Sequence, residues 1–178
     1  GGGVSVFALQ FAKLFGARVI MTSSSPERCA RLRSLGADET IDYVAQPQWD
    51  TAVRALTGGH GVDLTVEVGG AATIDRSVAA TRRGGRVALV GLLTGMPAAV
   101  ASLFSAGASI SPVMVGSRDD FEAMNRAIDF HQLRPVIDSR YGFEQLPEAL
   151  RHLQSGRHMG KIVIDFQRSA ARSSARAL

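Results

Sequence analysis

The sequence predicts an α/β fold in which helices cover both faces of a parallel sheet. Short runs rich in β-branched and aliphatic residues alternate along the chain with segments of helical spacing, and this alternation is typical of parallel strands joined by helices. The runs at 62–68 and 86–91 are rich in valine and leucine, and we interpret them as strands buried within a parallel sheet. Valine-rich and leucine-rich strands are expected where helices cover both faces of a parallel sheet.

Each element follows from its local pattern. The first helix, residues 4–14, has apolar residues at helical spacing and is followed by Gly16. The second begins at Pro26, a residue suited to a first turn, and ends before Gly36. Further helices are predicted over 49–56, from Gly70 to Gly84, and over 119–131 and 146–153. Strands are predicted over 18–22, 39–43, 62–68, 86–91, 110–115, 135–137 and 161–166. Residues 92–108 are predicted to hold one short helix at most, and 167–178 to form a disordered tail.

The amino-acid composition excludes several classes of protein. The 178 residues are 46% hydrophobic and 20% charged, which is typical of a globular domain. A single cysteine, Cys29, excludes a disulfide within the chain and a cysteine-rich metal site. The net charge is +4, but three arginines lie in the last eleven residues, so no nucleic-acid partner is predicted. Without an apolar run of about 18 residues or a signal peptide, we predict a cytoplasmic protein and no membrane partner.

The first candidate site is the glycine run that leads into the first helix. Gly1, Gly2 and Gly3 precede Val4 directly. Glycines at a helix amino end let a diphosphate approach the backbone, where free N–H groups and the helix dipole hold its charge. The run departs from Gly-x-Gly-x-x-Gly because Val6 stands at the third glycine. A flexible chain end has the same composition, so this feature alone leaves both interpretations open.

The second candidate site is the end of the first predicted strand. In a dinucleotide-binding fold, an acidic residue at this strand position binds the ribose of NAD, whereas small hydroxyl residues with a nearby arginine admit the extra phosphate of NADP. Here Ser23 and Ser24 end the strand, no acid occurs before Glu27, and Arg28 follows. The pattern favours NADP. The serine run, which continues to Ser25 before Pro26, also suits a helix cap, and the two roles are compatible.

Other reactive residues indicate no separate chemistry. Glu67 lies in an apolar strand and is predicted to make a buried structural hydrogen bond. His152 and His158 have a spacing that fits no zinc pattern. A Gly-x-Ser-x-Gly elbow is absent from the sequence, which argues against a serine hydrolase. We predict no catalytic residue and no metal ligand in this chain.

A series of motifs occurs in one order over about residues 1–166: Gly-Gly-Val-Ser, Gly-Ala-Arg-Val-Ile-x-Thr-Ser-Ser-Ser, Leu-Gly-Ala-Asp, Leu-Thr-Gly-Gly-x-Gly-Val-Asp, Val-Glu-Val-Gly-Gly, Gly-Gly-Arg-Val-Ala-Leu-Val-Gly, Val-Gly-Ser-Arg and Ser-Gly-x-His-x-Gly-Lys-Ile-Val-Ile. This series resembles the medium-chain dehydrogenase/reductase superfamily, which contains alcohol dehydrogenases and quinone oxidoreductases. The resemblance implies a Rossmann-type doubly wound parallel sheet over 1–166, with NADP or NAD as cofactor.

The resemblance also implies that part of the fold is missing. The family's first strand, and a catalytic domain before it, would precede Gly1, so the chain would be a cofactor-binding half that is inactive alone. In the family's strand order the first strand is central. Residues 19–21 and 64–68 would therefore face a gap, and the strands beside it would either pair with each other or leave the sheet split.

The family's cofactor contacts map onto the first helix, the ends of strands and the start of the last strand. The residues implied are Gly2, Gly3 and Val4 at the diphosphate, Ser23, Ser24 and Arg28 at the adenosine phosphate, Val68 and Gly69 at the adenine, Gly91 and Leu92 at the nicotinamide, Val115, Gly116 and Ser117 at the carboxamide, and Lys161 as a basic contact. For each strand-end residue, ordinary core packing is the alternative.

The function implied is hydride transfer between nicotinamide and a small-molecule alcohol/carbonyl or quinone/enone substrate. A non-catalytic dinucleotide-binding or dimerisation module is the alternative. The strand from Ile110 to Val115 would lie at the sheet edge, where unpaired backbone groups favour a homodimer.

Overall fold

The computed structural model describes residues 1–97 and 106–167. The helices are α1 (Gly3–Leu14), α2 (Pro26–Ser34), α3 (Trp49–Leu56), α4 (Ile74–Ala80), α5 (Arg118–Phe130) and α6 (Leu146–Gln154). The strands are β1 (Ile20–Ser23), β2 (Glu39–Asp42), β3 (Val62–Glu67), β4 (Thr81–Leu89), β5 (Ser109–Pro112), β6 (Ile137–Gly142) and β7 (Lys161–Asp165), and a 3-10 turn covers Phe143–Gln145. Much of the predicted loose stretch, residues 98–105, and the predicted tail, residues 168–178, lie outside the described residues.

All strand pairs among the described residues are parallel, which confirms the predicted α/β fold. They form three sheets with the orders β1-β2, β3-β4-β5 and β6-β7. β1 pairs with β2, and β3 pairs with β4, but β1 and β3 do not pair with each other. Of the two arrangements predicted for these strands, the structure has the split one. As a result, Leu64 and Val66 on one face of β3 stay exposed.

Two strand boundaries differ from the prediction. β4 begins at Thr81 rather than at residue 86, and α4 ends before it instead of continuing to Gly84. The side chain of Arg54 binds the carbonyl oxygens of Ala79 and Thr81 at 2.8 and 2.9 Å, which stabilises the turn into the strand. β5 ends at Pro112 rather than at Val115, because Pro112 lies opposite Leu89, the last residue of its partner strand.

β6 was predicted as a short strand over 135–137, and it lies instead over Ile137–Gly142. Its length is set by β7, which pairs with it from Ile137 opposite Lys161 to Gly142 opposite Asp165. The polar residues of this segment gave no strand pattern in the sequence. Pairing with an apolar strand more than twenty residues away therefore decides its conformation.

One core cluster joins the first and last parts of the chain. It contains Val6 and Leu9 of α1, Leu32 of α2, Ala37, and Met159 from the segment before β7. Backbone contacts accompany this packing: the Gly160 N–H donates to the Gly1 carbonyl at 3.0 Å, and the Gln10 amide donates to the Arg134 carbonyl at 2.7 Å. The β6-β7 unit is thereby held against α1. No helix in residues 1–97 and 106–167 is long and apolar enough to cross a membrane.

The split between β1 and β3 has a measurable consequence for stability. Leu64 on β3 is 54% exposed, whereas Leu9 in the core is 0% exposed. We expect Leu9→Ala to lower the free energy of unfolding by about 2–5 kcal/mol, because it leaves a cavity. Leu64→Ala, the same chemical change, should cost less than about 1 kcal/mol. Urea unfolding of both variants measures the difference, and equal costs would show that the face of β3 is covered.

Candidate functional site

The amino end of α1 presents free backbone donors. Gly2 is the N-cap residue and makes no side-chain cap, so the first N–H groups of α1 have no partner within the helix. Gly2 also forms a parallel bridge to Gly160. The glycine run is therefore held in place by the segment before β7, and it is built as a helix start and not as a loose chain end.

Lys161, the first residue of β7, lies directly over this helix end. A Cβ atom at Gly3 would come within 2.8 Å of the Lys161 ammonium nitrogen and 2.9 Å of its Cε, so glycine leaves the room that this side chain occupies. The ammonium nitrogen is 6.0 Å from the centre of the Phe7 ring. Within the described part of the chain, no carboxylate forms an ion pair with Lys161. A helix amino end and an ammonium group together attract an anion.

A cavity of about 360 Å³ adjoins this helix end between α6 and β7. Gly3, His158 and Lys161 line its polar side, and Leu150, Leu153 and Ile164 line the rest. The Nδ1 atom of His158 is buried without a hydrogen-bond partner. Burial lowers the pKa of His158, and the nearby carboxylate of Asp138 opposes this shift only in part. The histidine therefore favours its neutral form.

The ends of β3 and β4 come together as the sequence predicts. Because β3, β4 and β5 are parallel members of one sheet, their carboxyl ends lie at one edge. Gly91 lies so close to the Val68 carbonyl that a side chain would collide with it, and a Cβ at Gly70 would contact Leu92 at 3.0 Å. The Gly69 carbonyl accepts the Thr94 hydroxyl at 2.8 Å. The strand-end residues Val68, Gly69, Gly91 and Leu92 thus form one contiguous group.

Residues 115–117 follow β5 at the same edge. Ser117 is the N-cap of α5, where its hydroxyl accepts the Asp120 N–H at 3.1 Å and donates to the Asp120 carboxylate at 2.8 Å. The Ser117 N–H and hydroxyl lower the pKa of Asp120. The Ser117 side chain is therefore committed to the helix cap, while Val115 and Gly116 stay exposed.

The end of β1 differs in detail from the prediction. The Ser23 hydroxyl is buried and has no partner, whereas Ser24 is exposed. The helix cap predicted for the serines is made by Ser25, whose hydroxyl accepts the Arg28 N–H at 3.3 Å. The Arg28 side chain donates to the carbonyls of Arg157 and His158 at 2.9 and 3.3 Å. It is directed to the segment before Lys161.

Asp138 on β6 organises that segment, although the sequence did not single it out. Its carboxylate accepts the Met159 N–H at 2.8 Å and the Arg31 guanidinium at 3.2 Å. Burial acts to raise the pKa of Asp138, but these hydrogen bonds outweigh it and the pKa is lowered. Arg31 is 107 positions away in the chain, so no local pattern could show this contact. Gly160, which bridges to Gly2, differs in this respect, because it belongs to the sequence motif that also contains Lys161.

The residues described here supply no metal centre. In residues 1–97 and 106–167, no group of three or more His, Cys, Asp or Glu side chains could hold a metal ion. The residues at the amino end of α1 and the end of β1 fit a nicotinamide dinucleotide better than a metal ion. The uncapped amino end of α1, the ammonium group over Gly3 and the unpartnered hydroxyl of Ser23 are all donors, as a phosphate- and ribose-containing ligand requires.

Comparison with known proteins agrees with this geometry. The zinc-binding dehydrogenase family matches residues 3–129. A zinc-type alcohol dehydrogenase-like protein of Schizosaccharomyces pombe is 36% identical over 169 residues, covering 92% of this chain and 49% of that protein. The chain therefore spans about half the length of this curated relative. The family's name refers to zinc, but the part of the chain described here contains no cluster of side chains that could bind it.

Solved structures show the same likeness. An NAD-dependent alcohol dehydrogenase has a TM-score of 0.82 and 38% identity, over 92% of this chain and 48% of that one. A mycobacterial protein complexed with NADPH has a TM-score of 0.77 and 29% identity, over 92% of this chain and 54% of that one. The chain belongs to the zinc-binding dehydrogenase family, and it is an NAD(P)-binding domain of the medium-chain dehydrogenase/reductase type.

Proposed function

We propose that this chain is the cofactor-binding half of an oxidoreductase that transfers a hydride between nicotinamide and a small-molecule substrate, either an alcohol/carbonyl pair or a quinone or enone. The observation that carries the proposal is the Lys161 ammonium group over Gly3, at the uncapped amino end of α1. When bound, the nicotinamide supplies the hydride chemistry, and the protein binds and orients it. The relatives are enzymes, which does not favour the non-catalytic alternative.

Each group of residues has a role in this proposal. Gly2, Gly3, Val4 and Lys161 hold the diphosphate, because free N–H groups and an ammonium group bind phosphate oxygens. The other contacts are Ser23, Ser24 and Arg28 at the adenosine, Val68 and Gly69 at the adenine, Gly91 and Leu92 at the nicotinamide, and Val115, Gly116 and Ser117 at the carboxamide. We assign no catalytic residue and no metal ligand to this chain.

The role of Lys161 is tested by its removal. We expect Lys161→Ala to weaken the binding of NADPH and NADH by about 10- to 100-fold, because a charged hydrogen bond contributes about 1.5–3 kcal/mol. Titration by cofactor fluorescence measures this. The chain has one other lysine, Lys13, which forms an ion pair with Asp38 at the far end of α1. Lys13→Ala is therefore the control and should bind as the wild type does. Equal binding by both variants would contradict the proposal.

We propose further that NADP is preferred over NAD. The support is the end of β1, where Ser23 and Ser24 are followed by no acid before Glu27. An aspartate at this strand end would repel the extra phosphate of NADP and accept hydrogen bonds from the ribose of NAD.

The preference is tested at Ser24, which is exposed at that strand end. We expect Ser24→Asp to weaken NADPH binding at least tenfold, a change of about 1.4 kcal/mol, and to leave NADH binding unchanged or tighter. Ser24→Asn introduces a side chain of nearly the same shape as aspartate but without its charge, and this variant should keep the wild-type preference. Both cofactors are titrated against each variant. Tighter binding of NADH than of NADPH by the wild type would overturn the preference.

A homodimer through β5 is the third part of the proposal. Among the strands that the structure describes, β5 pairs only with β4. The residues that follow it are apolar and exposed, with Met114 at 87% and Val115 at 90%. An unpaired strand edge beside an apolar surface favours pairing with a second copy.

Sedimentation tests the dimer. We expect the wild type to be dimeric at micromolar concentration, and Met114→Glu to shift it to the monomer, because a carboxylate cannot be buried unpaired at an interface. Phe15, the C-cap residue of α1, is also exposed, at 86%, and it lies outside the β3-β4-β5 sheet, so Phe15→Glu is the control and should stay dimeric. A monomeric wild type would contradict this part of the proposal.

A further inference from the structure

Glu67, the last residue of β3, is a carboxylate that is 3% exposed. One oxygen, Oε1, accepts three hydrogen bonds: from the Gly69 N–H at 2.5 Å, the Gly70 N–H at 3.0 Å and the Thr73 hydroxyl at 2.7 Å. The other oxygen, Oε2, accepts the Ser77 hydroxyl. In the described part of the chain, no cation forms an ion pair with Glu67. Its charge is therefore balanced by two backbone N–H groups and two hydroxyls.

The backbone of Glu67 holds the neighbouring strand end at the same time. Its carbonyl oxygen accepts the Val90 N–H at 2.8 Å and the Gly91 N–H at 3.1 Å, just beyond the last residue of β4. The side chain therefore fixes the path of the chain after β3, and the carbonyl fixes the path after β4. One residue sets both turns.

Further contacts connect these two turns directly. Thr94 donates through its N–H and its hydroxyl to the Gly69 carbonyl, at 2.7 and 2.8 Å. The Thr94 hydroxyl oxygen accepts the Ala72 N–H at 2.9 Å, and the Ala71 N–H donates to the Gly95 carbonyl at 3.0 Å. Two of these four bonds end on the carbonyl of Gly69, whose N–H group donates to the Glu67 carboxylate. Without the carboxylate, the Gly69 and Gly70 N–H groups would lose their acceptor, and a buried donor without an acceptor is costly.

We infer that Glu67 is a positioning residue which holds the ends of β3 and β4 in the arrangement that receives the cofactor. This role rests on the proposed function, because Val68, Gly69, Gly91 and Leu92 are the residues assigned there to the adenine and the nicotinamide. Because Glu67 is 3% exposed, we assign it no contact with the ligand. It acts through the Gly69–Gly70 backbone, where glycine is required: φ at Gly70 is +90°, and a Cβ at Gly69 would collide with Thr73.

The two substitutions Glu67→Ala and Glu67→Gln separate this role from simple core packing. Glu67→Ala removes both carboxylate oxygens and keeps the main-chain carbonyl, and we expect it to weaken NADPH binding by at least about tenfold. Glu67→Gln keeps an oxygen for the three donors at Oε1 and places an amide N–H toward Ser77, whose hydroxyl can rotate to accept it. Glu67→Gln should therefore bind within about threefold of the wild type.

Hydrogen exchange gives a second readout that needs no cofactor. We expect Glu67→Ala to speed exchange of the Gly69, Gly70, Val90 and Gly91 amides by about tenfold or more, and to leave the β1-β2 amides unchanged. Glu67→Gln should keep their protection. A uniform rise over the whole chain would show a role in global stability alone and would overturn the inference, as would wild-type binding by Glu67→Ala.

A milder variant covers the case in which Glu67→Ala does not fold. Thr73→Val removes one donor to Oε1 without changing the shape of the side chain, and it should speed exchange at Gly69 and Gly70 and weaken binding severalfold. Thr51→Val, at an exposed site on α3, is its control and should change neither. Unchanged exchange in Thr73→Val would contradict the inference.

Failure of the wild type to bind either cofactor would contradict the proposed function, and the exchange data would still decide whether Glu67 holds the two strand ends.

Discussion

The packing of α1 against α2 and the segment before β7 is the constraint on which the rest of the structure depends. Val6 and Leu9 of α1, Leu32 of α2 and Met159 form one buried cluster. With Met159 in this cluster, Gly160 reaches the Gly1 carbonyl and Lys161 lies over Gly3. The apolar core therefore places a cation at a helix end that is already positive. Two like charges in contact are unfavourable alone, and they become favourable when an anion binds between them.

Polar contacts reinforce this arrangement from the other side of the segment. Arg28 binds the carbonyls of Arg157 and His158, and Asp138 binds the Met159 N–H and Arg31. Three of these contacts satisfy backbone groups of residues 157–159, which precede β7, and the fourth joins the side chains of Arg31 and Asp138. They also direct the Arg28 guanidinium toward the segment before Lys161. The same guanidinium that fixes the segment next to Lys161 is the one the family resemblance assigns to the adenosine phosphate, so the two roles are physically linked.

Different interactions stabilise the two parts of the proposed site, at α1 and at the ends of β3 and β4. At α1, an apolar core brings charged and backbone groups together. At the ends of β3 and β4, a buried carboxylate orients the backbone through hydrogen bonds to N–H groups and hydroxyls. A buried polar network specifies one arrangement when every member is satisfied. The β1-β2 and β3-β4-β5 sheets remain separate because β1 and β3 do not pair. The packing of α3 on α4 joins them through a shared core, in which Ile41 of β2, Val53 of α3 and Ala80 of α4 form one buried cluster.

The sequence by itself determined the α/β class, the order of the elements and the strand ends to which we assign the proposed site residues. These follow from hydrophobic spacing, glycine at helix ends and Pro26, which act within a few residues; the predicted helix 49–56 is the observed α3. The strand ends predicted for the site at Gly69 and Gly91 do lie together.

The tertiary structure alone decided the start of β4 at Thr81, the length of β6, the split between β1 and β3, and the partners of Arg28, Asp138 and Glu67. Each depends on which distant group is within reach. Arg28 and the Arg157 carbonyl are 129 positions apart, and Arg31 and Asp138 are 107 apart. Hydrogen bonds act over about 3 Å in space, and no local pattern of residues records which distant segments the core will bring to that distance.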